Sequence, residues 1–293
     1  MKGHAPLKTD RLETELEAAL TAMVNHVRRA IAAEVLPRVA ELMTAHQAPR
    51  FDAADDGKAR LHGLRLEWLE LEPEKVARQL ELFGGQVIEL SARSVERQIV
   101  AGTPASKQQR LKRLGLDTLE PWMTKAAQRW AWLNAELITS IPGELIGDVH
   151  GRILQGIRDG ARPETVADEM RDWLEAPPAR LQLIARDQVG KLQSDIIAGR
   201  QKELGIESYW WETANDRRVV GRPGGLYPKG SLKHQDHWIR RGRLFVANEG
   251  PPLVELVGTR RIVHDDWTDG HPGQGIQCRC WRRPNLDGLL RRL

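Results

Sequence analysis

The chain has two cysteines in 293 residues, Cys278 and Cys280. Two thiols that close together cannot build a disulfide framework, so a reducing compartment is the expectation. No run of about 18 or more apolar residues occurs, which predicts no transmembrane helix. The first ten residues lack an apolar stretch, so no secretory leader is expected. Neither sign of charge is in large excess: 44 Lys and Arg against 40 Asp and Glu give a net +4. What is present is an ordinary soluble composition, 41% hydrophobic and 29% charged, long enough for two domains.

The small net charge hides an asymmetry. Residues 215–293 hold 15 Lys and Arg against 8 Asp and Glu, a net +7, which leaves −3 for residues 1–214. A basic C-terminal third suggests a polyanionic partner, nucleic acid being the obvious one. The candidate phosphate contacts are Arg217, Arg218, Arg240, Arg241, Arg243, Arg282 and Arg283. The other reading is a solvated surface with spare arginines.

Apolar residues at Leu12, Leu16, Leu20, Met23, Val24, Val27, Ile31 and Val35 recur every three or four positions and predict an amphipathic helix. Thr9 or Asp10 caps it, and Pro37 kinks or ends it. Residues 48–57 read as a loop and Lys58 opens a second helical stretch. A further helix starts at Pro73 and carries Val76, Leu80, Phe83, Val87, Leu90 and Ile99, with Gly84 and Gly85 weakening its middle. A polar linker with a short helix at 107–114 leads to another helix over 118–139. Helices over 144–159, from Arg162 to Leu174 and over 179–204 follow, ended by Gly160, Pro177 and Gly205.

From Glu207 the period changes from 3.6 to 2, and short strands are expected at 207–213, 243–246, 253–257, 261–264 and 276–281. Asn285 to Leu293 is a short basic amphipathic tail. The fold class is therefore α+β: a mainly helical region over 1–140, then a second domain over 141–293. That domain comprises helices 144–204, a small loop-rich antiparallel β unit at 207–283 packed on helices, and the tail.

The chemistry-bearing stretch runs from His264 to Trp281. Cys278 and Cys280 offer soft ligands, and His271 and His234 complete a possible tetrahedral zinc site, with His237 or His264 as substitutes. Cys-x-Cys is an awkward ligand spacing in a strand, whose alternate residues point to opposite faces. The alternative is a packed strand, with Asp216, Arg217, His234 and Arg279 in a hydrogen-bonded network that fixes the loops. His264, Asp265 and Asp266 with His234 and His237 could mimic a metal-nuclease cluster. No spacing matches a hydrolase or phosphoryl-transfer motif, so no catalysis is expected.

The order of these pieces resembles the phage Mu F-like head morphogenesis family, the minor head proteins of tailed phages. The resemblance covers about residues 144–284. It rests on Ile184-Ala-Arg-Asp-Gln188 opening the long helix, the Asp216-Arg-Arg-Val219 turn, the following His234, Gly242-Arg-Leu-Phe245, His271-Pro-Gly273 and Cys278-Arg-Cys280. Two departures stand out. Val219-Val-Gly-Arg222 lies where some members carry Cys-x-x-Cys, and Gly273 to Gln277 separate the His-Pro from the Cys-Arg-Cys. The resemblance implies a structural protein of the virion, in the capsid interior or at the portal vertex, assembled in the host cytoplasm. Its implied partners are the portal protein or the major capsid protein and packaged DNA, with no membrane. The alternative is a nucleic-acid-binding protein, or a metal-dependent nuclease, using the basic C-terminal domain.

Overall fold

Among the described residues, the apolar spacing of three and four from Leu12 and from Val76 becomes helix. The computed structural model describes residues 9–47, 73–116, 118–175, 179–230, 235–276 and 278–292. Helix α1 spans Asp10–Val35, a single 3-10 turn covers Leu36–Arg38 at Pro37, and α2 spans Val39–Gln47. Thr9 is the cap: its carbonyl accepts the Glu13 N–H at 2.9 Å, and its hydroxyl donates to the Glu13 carboxylate at 2.6 Å. The expected loop at 48–57 and the stretch opening at Lys58 lie outside the described residues.

Helix α3 runs unbroken over Pro73–Gly102. Gly84 has a packing reason: a Cβ there would lie 3.0 Å from the Ala127 Cβ, so the glycine lets two helices approach closely. Helices α4, Ala105–Lys112, α5, Pro121–Thr139, and α6, Ile141–Arg158, come next. Then follow α7, Pro163–Glu175, and α8, Ala179–Glu203. Helices α6 and α8 end at glycine, where Ala161 N–H reaches Gly156 O and Ile206 N–H reaches Gln201 O, both at 2.9 Å.

Strands β1, Ser208–Thr213, β2, Leu244–Val246, β3, Leu253–Val257, β4, Arg260–His264, and β5, Cys280–Pro284, form one antiparallel sheet in the order β4-β3-β2-β1-β5. The last strand begins four residues later than the alternation predicts. Cys278 N–H turns back to Gly275 O at 3.1 Å, and pairing with β1 starts at Thr213↔Cys280. A short helix α9, Asp287–Arg292, follows the last strand. The architecture is α+β. Among the described residues no helix is long and apolar enough to cross a membrane.

The chain divides into two compact units, each built from separated segments. One takes the described residues of Met1–Thr14, Glu81–Trp130 and Leu183–Leu293; the other takes those of Glu15–Leu80 and Ala131–Gln182. In the first, Val95 and Ile99 of α3 and Leu111 of α4 share a core with Ile197, Ile206, Leu286 and Leu289. Residues before 140 therefore help to bury the helices beside the sheet. A second core, on the sheet, holds Tyr209, Trp211, Phe245, Leu253, Trp267 and Cys280. In the other unit α2 packs on α6 and α7, and the guanidinium of Arg152 lies 4.6 Å over the Trp173 ring.

Candidate metal centre

Three donor atoms meet at the head of β5: a ring nitrogen of His237 and the sulfurs of Cys278 and Cys280, all within 4.8 Å of one another. Each sulfur lies 3.5 Å from His237 Nδ1. The strand-parity objection to Cys-x-Cys does not apply. Cys280 is the first residue of β5, whereas Cys278 sits in the preceding turn and is free of the pleat. Gly273 shapes that turn at φ +87°, and its N–H donates to Cys278 Sγ at 3.3 Å. A Cβ on Gly273 would lie 2.4 Å from Ser194 Cβ, so only glycine fits.

His237 is held from behind. Its Nε2 lies 2.5 Å from Asp269 Oδ2, and the other Asp269 oxygen accepts from Arg240 at 2.7 Å. Arg240 also donates to Gln235 Oε1 at 2.9 Å. The guanidinium is fully buried between two indoles, 4.9 Å from Trp211 and 4.7 Å from Trp267. Trp211 in turn meets the His237 ring edge-on at 5.5 Å. A carboxylate on the far nitrogen sets the tautomer and leaves Nδ1 pointing at the thiols, the arrangement typical of a metal-ligating histidine.

The same contacts set the protonation states of the cluster, whose ring must give up a proton when a metal binds. Burial alone would lower the His237 imidazolium, but the Asp269 hydrogen bond and Cys278 outweigh it and raise the ring to about 9. The Cys278 thiol is held well below its ordinary value by the hydrogen bond from Cys280, against burial and with help from His237. Burial, with Cys278 alongside, pushes Cys280 up. Burial would raise Asp269, but His237 and Arg240 hold it down. A thiolate, a second thiol and an oriented ring that becomes a donor once its Nδ1 proton is displaced lie on one side of a small space. A cavity of about 30 Å³ beside them, room for a water, is lined by His237, Asp269, Cys278 and Cys280. The thiols also border a larger cavity, of about 320 Å³, lined by Glu13, Arg186, Ser194 and Arg279. These three residues could hold a metal ion.

The expected ligands divide. Cys278 and Cys280 are in the cluster and His234 lies outside the described residues. His271 is elsewhere, and this corrects its assignment: Tyr209 O–H and its Nδ1 are 2.8 Å apart, and its Nε2 donates to the Glu249 carbonyl. Both nitrogens are occupied, and burial with the nearby Arg282 lowers its pKa to about 4. His264 stacks on Trp267 at 3.7 Å and pairs with Glu255 at 2.8 Å, while Asp265 and Asp266 are exposed. Among the described residues those three join no cluster with His237.

Of the expected loop network, Asp216 binds Arg279 at 2.6 Å and caps the Arg218 amide at 2.9 Å. The Arg217 side chain is exposed and outside it. The candidate phosphate contacts separate by burial. Arg240 and Arg282 are buried, Arg282 donating to Ala247 O at 3.1 Å, so neither is offered to a polyanion. Arg243 pairs with Glu255 at 3.1 Å and Arg283 with Glu212 at 2.8 Å. Arg217, Arg218 and Arg241 remain exposed. Asp269 and Tyr209 carry no local signal in the sequence: each acts through a partner at least 32 residues away.

No family model matches the chain, and no solved structure matches it. A protein of Haemophilus influenzae strain Rd, described only as uncharacterized, is 26% identical over 154 residues, covering 53% of this chain and 28% of that protein. The chain thus spans little more than a quarter of that relative.

Proposed function

We propose that this chain is a minor head protein of the Mu F-like kind, acting in procapsid assembly near the portal, with one structural zinc on His237, Cys278 and Cys280. The observation that carries the reading is convergence. Several pieces that make the resemblance, scattered from Asp216 to Cys280, meet in and beside one sheet. Asp216 pairs with Arg279, between the two cysteines. Phe245 shares a core with Cys280. His271 ties Tyr209 of β1. Sequence pieces that serve one packed unit are what a shared fold requires, whereas chance matches have no reason to touch.

Zinc at this site ties the turn carrying His237 to the head of β5, a role small β units commonly need filled. The cluster has the soft donors, the lowered Cys278 and the carboxylate-held histidine that zinc takes. Partner contact falls to exposed apolar residues such as Trp132 and Leu133, adjacent on α5 and 44% and 52% exposed.

The test is a pull-down of the purified chain against the portal and major capsid proteins encoded beside it, at low and high salt, with metal content read by mass spectrometry on the same sample. Salt-resistant portal or capsid binding, weakened by Trp132→Ala, and one zinc per chain are expected. Absence of binding to either protein by the folded chain overturns the assembly reading. A chain without zinc after purification in zinc-containing buffer overturns the metal assignment. His234→Ala, by lowering zinc affinity or leaving it unchanged, tells a protein ligand from solvent at the fourth position.

A further inference from the structure

The loop at 215–230 and the turn at 235–242 are joined through two consecutive residues. Val220 O accepts the N–H of Trp238 at 3.0 Å, and Gly221 N–H donates to Tyr227 O at 2.8 Å. Trp238 and Tyr227 are therefore anchored to adjacent positions of one loop. Gly221 sits at φ +83°, and a Cβ there would lie 1.7 Å from Asp236 Oδ1, so the crossing is built for glycine. Leu226 N–H closes the same loop onto Arg217 O at 2.6 Å.

The face these loops present is aromatic and cationic. The Arg222 and Arg241 guanidinium groups lie over the Trp238 ring at 5.4 and 5.1 Å. Tyr227 is 56% exposed, Trp238 is half-buried, and Arg217, Arg218 and Arg241 of the same two loops are exposed. The carboxylates of the same loops are engaged elsewhere: Asp216 on Arg279 at 2.6 Å and Asp236 on the Ile239 amide at 3.1 Å. Among the described residues, none of Arg217, Arg218, Arg222 and Arg241 has a carboxylate partner, unlike Arg240, Arg243, Arg279 and Arg283 of the same sheet unit.

Guanidinium groups alone would suit any polyanion. An exposed ring and a half-buried one set among them suit one whose bases are unpaired, because a duplex hides its base faces while a single strand offers them for stacking. We infer that this loop face binds single-stranded nucleic acid, with phosphates on Arg217, Arg218 and Arg241 and bases against Tyr227 and the Trp238–arginine stack. The inference goes beyond the assembly reading and does not depend on the metal.

The test is fluorescence anisotropy of the full chain with a labelled oligothymidylate, an oligouridylate and a DNA duplex of equal length, across a salt series. Single strands are expected to bind more tightly than the duplex, and the DNA and RNA arms identify the preferred strand. Tyr227→Ala, at an exposed position, weakens single-strand binding roughly tenfold and leaves the duplex nearly unchanged. Replacing Arg217, Arg218 and Arg241 by Ala flattens the logarithmic salt slope by about 2, at roughly 0.7 per phosphate contact. Arg260→Ala, which removes the same charge on β4, changes neither. Duplex binding as tight as single-strand binding, Tyr227→Ala without effect, or no binding at low salt by a chain with native circular dichroism each overturns the inference.

Discussion

Asp269 Oδ2 lies 2.5 Å from Nε2 of His237, and that contact decides which ring nitrogen faces the two thiols. With Nε2 held to the carboxylate, Nδ1 is the nitrogen whose proton a metal would displace. Asp269→Asn keeps the shape and removes the acceptor charge. The variant is expected to bind zinc about 10–100-fold more weakly, read by competition with a chromogenic chelator. Affinity equal to the parent chain would remove Asp269 from any part in aiming the ring.

Arg240 is the other partner of Asp269 and is fully buried between Trp211 and Trp267. Arg240→Met leaves a buried carboxylate with only His237 to balance it. Breaking a buried pair from one side costs roughly 3–5 kcal/mol, to be read by urea unfolding followed in the near-ultraviolet tryptophan signal. Arg240→Lys retains the charge but loses the planar fork that bonds Asp269 and Gln235 together. It is expected to fall between the two. Lysine as stable as arginine would show that the stack between the indoles contributes little.

Two glycines of α8 separate packing from propensity. A Cβ on Gly199 would lie 2.4 Å from the Trp122 ring, whereas one on Gly190 meets nothing within 4 Å. Gly199→Ala forces the indole aside at a cost of about 1–3 kcal/mol, partly offset by a helix gain of roughly 1 kcal/mol. Gly190→Ala realises that gain without the clash, so the melting temperatures of the two variants are expected to move in opposite directions.

His271 predicts an acid-sensitive fold. It is 6% exposed, and burial with Arg282 lowers it from 6.5 to about 4. Below 6.5 the unfolded chain takes up a proton that the folded chain refuses until about 4. Its contribution is therefore complete above 6.5 and is lost as pH falls through that window, about 3 kcal/mol in all. Urea midpoints measured from pH 7 down to pH 4 should fall more steeply for the parent chain than for His271→Gln, which has no proton to gain. Parallel curves would refute the assignment.

Periodicity is local, and what it governs was legible. The three-and-four spacing from Leu12 to Val35 and from Val76 to Ile99 becomes α1 and α3, and Pro37 interrupts where a missing N–H must. The change of period at Glu207 marks the sheet, and the glycines end α6 and α8. Strand β5 starts only at Cys280, because alternation continues through Gln277 and Cys278 in sequence while the pairing with β1 ends at Thr213↔Cys280.

The site depended on contacts that no local pattern encodes. His237 reaches the thiols across 41 and 43 residues, and Asp269 fixes it across 32. His271, nearer to Cys278 in the chain, is drawn instead to Tyr209 and Glu249, because a buried imidazole must satisfy both nitrogens where the sheet leaves it. The arginines were equally visible as charge, but only burial and pairing separate Arg240 and Arg282, which hold the interior, from Arg217, Arg218 and Arg241, which face solvent. Sequence by itself determined the elements, their order and the supply of ligands and cations. Tertiary structure decided which of them meet, because desolvation and hydrogen-bond satisfaction act on neighbours in space.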